Sequence, residues 1–278
     1  MICSKLAKLA IRRGFSKKTM STADFIHDRL YSKDEGYFSK ADNQLGLLKE
    51  PIPFTELFGY EDYVKMLYER YPKNAWLTPS EIFKPYYGMT IANYIELTYG
   101  KLKAQNPAMR NQPLQIIEGG AGNGSAASSI LNYFKLYKPK TYHTLKYTIV
   151  EISDAMIQRC RKTLTEDHPQ LVRSGQISFK HMGIGDYDEF DSNLTFVILL
   201  EVLDNLPHDR VYIKSDGQIE QAFVEVDGDL MAEVRSTNVD TDVVALYNIW
   251  KESEMNREAV ENEGKYETFV VCVNNVGF

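Results

Sequence analysis

The run Leu114-Gln115-Ile116-Ile117-Glu118-Gly119-Gly120-Ala121-Gly122-Asn123-Gly124 constrains the fold of this chain more than any other stretch. An apolar, strand-like segment ends in an acid, then turns through glycines 120, 122 and 124 into a helical pattern of small residues. Only glycine readily takes a positive φ and lets another group come close against the backbone. Such a turn fits an open α/β sheet, where ligands settle outside the carboxyl ends of the strands. The flanking text agrees, because short apolar runs alternate there with amphipathic helical stretches. The patterning predicts strands over 114–118, 147–151, 177–181 and 194–200. Helices are predicted over 125–137 and 154–164, with loop rather than helix over 165–176.

The pattern is E-x-G-x-G-x-G, not the dinucleotide fingerprint G-x-G-x-x-G, and the chain has no G-x-x-x-x-G-K-[ST] phosphate loop. A carboxylate just before the glycines, Glu118, is a poor neighbour for pyrophosphate. It suits a cationic ligand, such as the amino group of S-adenosyl-L-methionine (SAM). On this reading Glu118, Gly120, Gly122 and Gly124 form the cofactor turn; the alternative is a tight βα turn with no ligand. The next strand also ends in an acid, Glu151, where a ribose-binding carboxylate should stand, or else Glu151 merely precedes the next helix. After the third strand, Gly183-Ile-Gly-Asp186 brings a further carboxylate toward the adenine side, or else Asp186 is a turn residue.

The fourth strand emerges into Leu200-Glu201-Val-Leu-Asp204-Asn-Leu-Pro207-His208. Glu201 and Asp204 would lie beside the reactive end of the cofactor, where two carboxylates match the planar fork of a guanidinium. They are the candidate catalytic pair; capping the next segment or pairing with Arg210 is the plainer role. Tyr37, Phe38, Tyr86, Tyr87 and Tyr94 form either an aromatic wall or ordinary core. His208 is either a general base or a surface histidine.

Elsewhere the sequence mostly excludes. Cys3, Cys160 and Cys272 are far apart and the five histidines are scattered, so no metal site or disulfide framework is expected. The most apolar run, 196–200, stops at Glu201, well short of the ~20 residues a membrane helix needs. Residues 1–20 hold six of the 32 Lys and Arg and no acid, which leaves 26 basic groups against 38 acidic ones, a net −12. An acidic body disfavours nucleic acid and suits a cationic partner. The acid-free, amphipathic start reads as a mitochondrial transit peptide over 1–20.

Helices are expected over 21–32, 60–71 and 80–98, with a loop over 39–57 and a polar linker over 101–113. A hairpin-like series follows Pro207: strands over 211–213, 219–226 and 230–234, joined at Ser-Asp-Gly 215–217 and Asp-Gly 227–228. A helix over 241–263 and a strand over 268–273 close the chain. The expected organisation is therefore a transit peptide (1–20), a helical region (21–113) and a methyltransferase-like domain with a hairpin extension (114–278).

Taken in order, five segments resemble the MidA-type SAM-dependent protein arginine methyltransferases of mitochondria and bacteria. They are Ser21-Thr-Ala-Asp-Phe-Ile through Glu35-Gly-Tyr-Phe, Thr78-Pro-Ser-Glu-Ile-Phe, Ile117-Glu-Gly-Gly-Ala-Gly-Asn-Gly, Tyr147-Thr-Ile-Val-Glu-Ile-Ser and Leu200-Glu-Val-Leu-Asp-Asn-Leu-Pro. The similarity covers about 20–235. It implies a class I (Rossmann-like) methyltransferase sheet, with an N-terminal helical region and a hairpin-rich C-terminal part. It also implies a mitochondrial matrix enzyme that dimethylates an arginine on a respiratory complex I subunit during assembly. Gly120, Gly122, Gly124 and Glu151 would bind SAM, and Glu201 and Asp204 would face the substrate. The family's Arg in the glycine turn is Asn123 here, and its Asn before the Glu is Leu200. Family members continue beyond the position of Phe278 with further strands and a substrate-binding region; were this the whole polypeptide, 211–273 would either supply the last sheet strands or they would be absent. A catalytically silent, methyltransferase-like assembly factor is the rival reading.

Overall fold

The computed structural model describes residues 17–33, 36–39, 45–73, 75–191, 193–214, 216–252 and 267–271. It parts the chain into two compact units, 37–204 and 1–36 with 205–278, limits that cut across the three regions expected from sequence. Residues 1–16 of the expected transit peptide, Cys3, Cys272 and the last part of the helix expected over 241–263 lie outside the described residues. The described chain opens on strand β1 (Lys18–Ser21) and helix α1 (Thr22–Tyr31). Ser21 caps α1, its hydroxyl accepting from Asp24 N–H at 2.9 Å.

In unit 37–204, α2 (Tyr60–Arg70) comes first, then α3 (Pro79–Ile82), capped by Thr78 with Pro79 at its first turn. Leu48, Ile52 and Leu77 form a small core, against which Phe54, Tyr63 and Ile82 pack. Helix α4 (Tyr86–Gln105) runs past the expected end near 98. It stops where Pro107 bars Asn106 from helical backbone, and the Asn106 side chain caps a short 3-10 turn over Pro107–Met109. The expected linker over 101–113 is therefore largely helical.

The chain then builds β2 (Gln115–Gly119), α5 (Ser125–Tyr137), α6 (Pro139–Tyr142), β3 (Lys146–Glu151), α7 (Asp154–Asp167), α8 (Pro169–Arg173), β4 (Ile177–His181) and β5 (Thr195–Leu199). All four strands are parallel, in the order β4-β3-β2-β5. Ala127, Ile130, Leu131 and Phe134 of α5, with Cys160 and Leu164 of α7, cover one face of the sheet, together with Ile116, Tyr147 and Ile149. The loop expected over 165–176 is instead mostly helix. His168, fully buried between Tyr142 Oη (2.9 Å) and the Ser128 carbonyl (3.3 Å), and buried Leu171 anchor a stretch whose local sequence is polar.

Unit 1–36 with 205–278 contains β6 (Asp209–Ile213), β7 (Ile219–Asp227), β8 (Leu230–Ser236), α9 (Thr241–Glu252) and β9 (Glu267–Val271). The expected hairpins are antiparallel, with Gly217 and Gly228 at positive φ in the turns. These strands do not extend the parallel sheet. They form their own five-stranded sheet, ordered β1-β7-β6-β9, with β8 on the other edge of β7. Lys18–Met20, expected to lie outside the fold, pair with β7, because β1 satisfies an edge that also offers Glu225 to Lys17 at 2.9 Å.

One close contact fixes how α4 meets α5. A Cβ on Gly88 would lie 2.5 Å from Ser129 Cβ and 2.9 Å from the Ala126 carbonyl oxygen. Because backbone cannot yield as a side chain can, Gly88→Ala should lower the free energy of unfolding by about 1–3 kcal/mol. A shifted denaturation midpoint at constant m-value would show this, and an unchanged midpoint would refute the contact.

Candidate active site

Strand order reverses between β2 and β5, so the crevice at their carboxyl ends is the natural ligand position in such a sheet. The turn leaving β2 enters that crevice. Gly120, Gly122 and Gly124 have φ of 66°, 55° and 81°, all left-handed. Gly124 is the N-cap of α5, and its N–H closes the turn on the Ala121 carbonyl at 2.9 Å. The three glycines also admit close neighbours from the chain itself. A Cβ would meet Val202 at 2.7 Å on Gly120, Leu45 at 2.8 Å on Gly122 and Cys160 at 2.9 Å on Gly124.

Glu151 and the turn come together directly. Gly122 N–H donates to Glu151 Oε2 at 3.2 Å and Ser153 N–H to Oε1 at 3.0 Å. Only 6% exposed, Glu151 has its carboxyl pushed above the usual range by burial, against the pull of these backbone donors. Glu118 stands elsewhere. Still inside the sheet and 3% exposed, it accepts the Tyr147 hydroxyl at 2.5 Å, and burial raises its pKa to about 7. Its carboxyl is thus a neighbour of Tyr147 and Cys160 behind the turn.

Asp186 lies exposed in the 3-10 turn Ile184–Asp186, with its carboxylate over Gly183. Ile184 of that turn packs against Gly119, which brings the segment after β4 to the end of β2. Past β5, Glu201 has φ 56°, and among the described residues it alone takes the left-handed region without being glycine. Such a conformation is costly for a residue with a Cβ and concentrates at functional positions. Glu201 and Asp204 are both exposed, while Val202 between them leans on Gly120.

The five aromatic candidates divide. Tyr37 packs edge-on with Phe38 and accepts the Trp76 indole N–H at 2.7 Å, whereas Tyr86 joins Phe54. On α4, Tyr87 is half-buried and Tyr94 exposed. His208 belongs to the other unit, where its Nδ1 meets the Leu206 carbonyl at 2.8 Å. Among the described residues no cluster of three metal-ligating side chains occurs.

Two site residues were not singled out from sequence. Asn123, 4% exposed, donates from Nδ2 to the Gly46 carbonyl at 3.1 Å. Glu81, 1% exposed, accepts from Leu48 N–H and Lys84 Nζ, both at 2.6 Å, and from the Ser125 hydroxyl that opens α5. Thr78-Pro-Ser-Glu81 is a capping-box pattern, so a signal for Glu81 existed, but it announced a helix start rather than this network.

The sequence matches, over residues 90–274, a family described as "putative S-adenosyl-L-methionine-dependent methyltransferase". No curated protein matches it. Two solved structures from Burkholderia thailandensis share the fold. One, a "likely methyl transferase" bound to S-adenosyl-homocysteine, is 16% identical with a TM-score of 0.55, covering 89% of this chain and 51% of that one. The other, a native protein of the same superfamily, is 17% identical with a TM-score of 0.52, covering 88% and 49%. The chain thus spans about half the length of these structures.

The Glu118 carboxyl behind the turn gives the fold a measurable pH signature. Its folded pKa of about 7 lies above the ordinary glutamate value of 4.5, so its contribution to stability is complete below pH 4.5 and fades as pH rises through 7. Relative to Glu118→Gln, the natural protein should lose up to about 3 kcal/mol of unfolding free energy between pH 4.5 and 8. Parallel pH profiles for the two proteins would contradict the buried, protonated carboxyl.

Proposed function

We propose that this chain, which belongs to the family of S-adenosyl-L-methionine-dependent methyltransferases, carries a methyl group from that cofactor to an arginine of a protein. The observation that carries the reading is the pair of exposed carboxylates after β5, with Glu201 in costly left-handed backbone next to the glycine turn. Gly120, Gly122 and Gly124 would lie along the cofactor, with Glu151 toward its ribose and Asp186 toward its adenine. Fit is supported by the left-handed glycine turn at the carboxyl end of β2 and by Glu151, whose carboxylate already sits on Gly122 N–H. When bound, the cofactor supplies an electrophilic methyl on a sulfonium.

The protein's own residues do the rest. Glu201 and Asp204 would grip a guanidinium by charge-assisted hydrogen bonds and aim one nitrogen's lone pair at the methyl. A carboxylate there also takes up the proton that the methylated nitrogen gives away. The acidic body favours a cationic protein substrate over nucleic acid. The basic, acid-free start supports import into the mitochondrial matrix, and the resemblance supports a complex I subunit as the protein carrying the arginine.

A second reading, a silent methyltransferase-like assembly factor, draws on the side chains of Val202 and Leu45 that already press on Gly120 and Gly122. Calorimetry with SAM and transfer of labelled methyl to matrix protein separate the two. Binding with label recovered as methylarginine supports the enzyme and counts against the silent factor; neither binding nor transfer ends the enzyme reading and supports the silent factor. Gly122→Val, forced into left-handed backbone against Leu45, should abolish cofactor binding. Glu201→Gln should cut transfer roughly 100-fold or more while cofactor affinity stays within about threefold, the pattern of a lost transition-state contact. An equal loss in both would assign Glu201 to cofactor binding instead.

A further inference from the structure

Residues 45–48 cross the cofactor turn, held from three directions. The Leu45 side chain presses on Gly122, and the Gly46 carbonyl takes the Asn123 amide. The Leu45 carbonyl faces Arg159 Nη1 of α7 at 3.5 Å, the outer limit of a hydrogen bond. The N–H of Leu48 goes to Glu81, and its carbonyl takes Lys84 Nζ at 2.8 Å. Glu81 in turn holds the Ser125 hydroxyl, so one buried carboxylate joins the far end of the segment to the first residue of α5. An irregular segment must satisfy its backbone somewhere; here Gly46 N–H goes to the Trp76 carbonyl at 2.8 Å, and the other bonds are to side chains, one of them Asn123 of the glycine turn.

Asn123 is the unusual member. Standing between two glycines of the turn, it spends Nδ2 on Gly46 while Oδ1 is buried without a partner, alone in this among the described residues. The opposite amide orientation would set Oδ1 against the Gly46 carbonyl, so the latch fixes which end is free. A buried, unsatisfied acceptor calls for an explanation, and a position given over to a latch supplies one. The same Gly122 that Leu45 covers also holds Glu151 through its N–H, so segment, turn and ribose-facing acid form one series.

We propose that residues 45–48 are a clasp that retards cofactor release, and that Asn123 is its positioning residue, acting through Gly46. The inference rests on the SAM reading above. Its test is the rate split for S-adenosyl-homocysteine, measured by surface plasmon resonance on the whole protein. Asn123→Asp keeps the shape and Oδ1 but removes the donor to Gly46; Leu45→Ala leaves the latch and removes the side chain over Gly122. Each should raise the dissociation rate roughly tenfold, about the worth of one closing contact, while the association rate stays within about twofold and circular dichroism is unchanged. Asn123→Gln, which retains a donor, should recover part of the loss. Unchanged dissociation in both variants overturns the clasp. So does faster association with tighter binding in Leu45→Ala, which would make Leu45 an obstruction. If the unaltered protein fails to bind at all, the cofactor reading itself has failed, a result distinct from a selective variant effect.

Discussion

The hydrogen bond from Gly122 N–H to the Glu151 carboxylate joins the ends of two adjacent parallel strands, and the candidate site is organised around it. A carboxylate this buried is expensive to ionise, and two backbone donors offset part of that cost. The Gly122 donor is aimed by a left-handed φ, so the glycine is needed for the direction of its own N–H as much as for space. Its Cα face, left bare, receives Leu45. One residue without a side chain thus sets an acid on one side and a packed segment on the other.

The two acids that end β2 and β3 look alike in sequence and meet different fates. Glu118 pairs in register with Ile149, still within the sheet, so its side chain is held behind the turn with Tyr147. Glu151, the last residue of its strand, has the turn beside it and reaches Gly122. After β5 a third acid, Glu201, is neither buried nor in relaxed backbone. Three carboxylates at neighbouring strand ends therefore have three different settings: one buried against Tyr147 with its pKa raised to about 7, one raised by burial but held by amides, and one exposed.

Much of this architecture was legible because its signals are local. Strand and helix periods along 114–151 and the Asp-Gly turn at 227–228 act over a few residues, and the structure follows them within a residue or two. The misses come from tertiary contacts. Helix over 165–173 depends on His168 meeting Tyr142, 26 residues away in sequence, and the latch depends on Asn123 meeting Gly46 over a separation of 77. Leu45-Gly-Leu-Leu48 has no period that marks it as anything but loop. The left-handed backbone of Glu201 was equally hidden, since nothing about a glutamate announces a positive φ.

The sharing of β7 among three partners has a consequence for the order in which the chain can assemble. Its residues 219–221 pair with β6, 223–226 with β1 and 221–227 with β8. Thr22, next to β1, bonds to Ala222 across 200 positions of sequence. The parallel strands lie within 115–199 and close over much shorter spans. During synthesis the parallel sheet therefore has all its parts while β1, already made, still waits for its partner. Loop-closure entropy makes that long-range pairing a slow step, so until β7 emerges residues 18–21 travel as an unpaired edge open to capture by a chaperone or by another nascent chain.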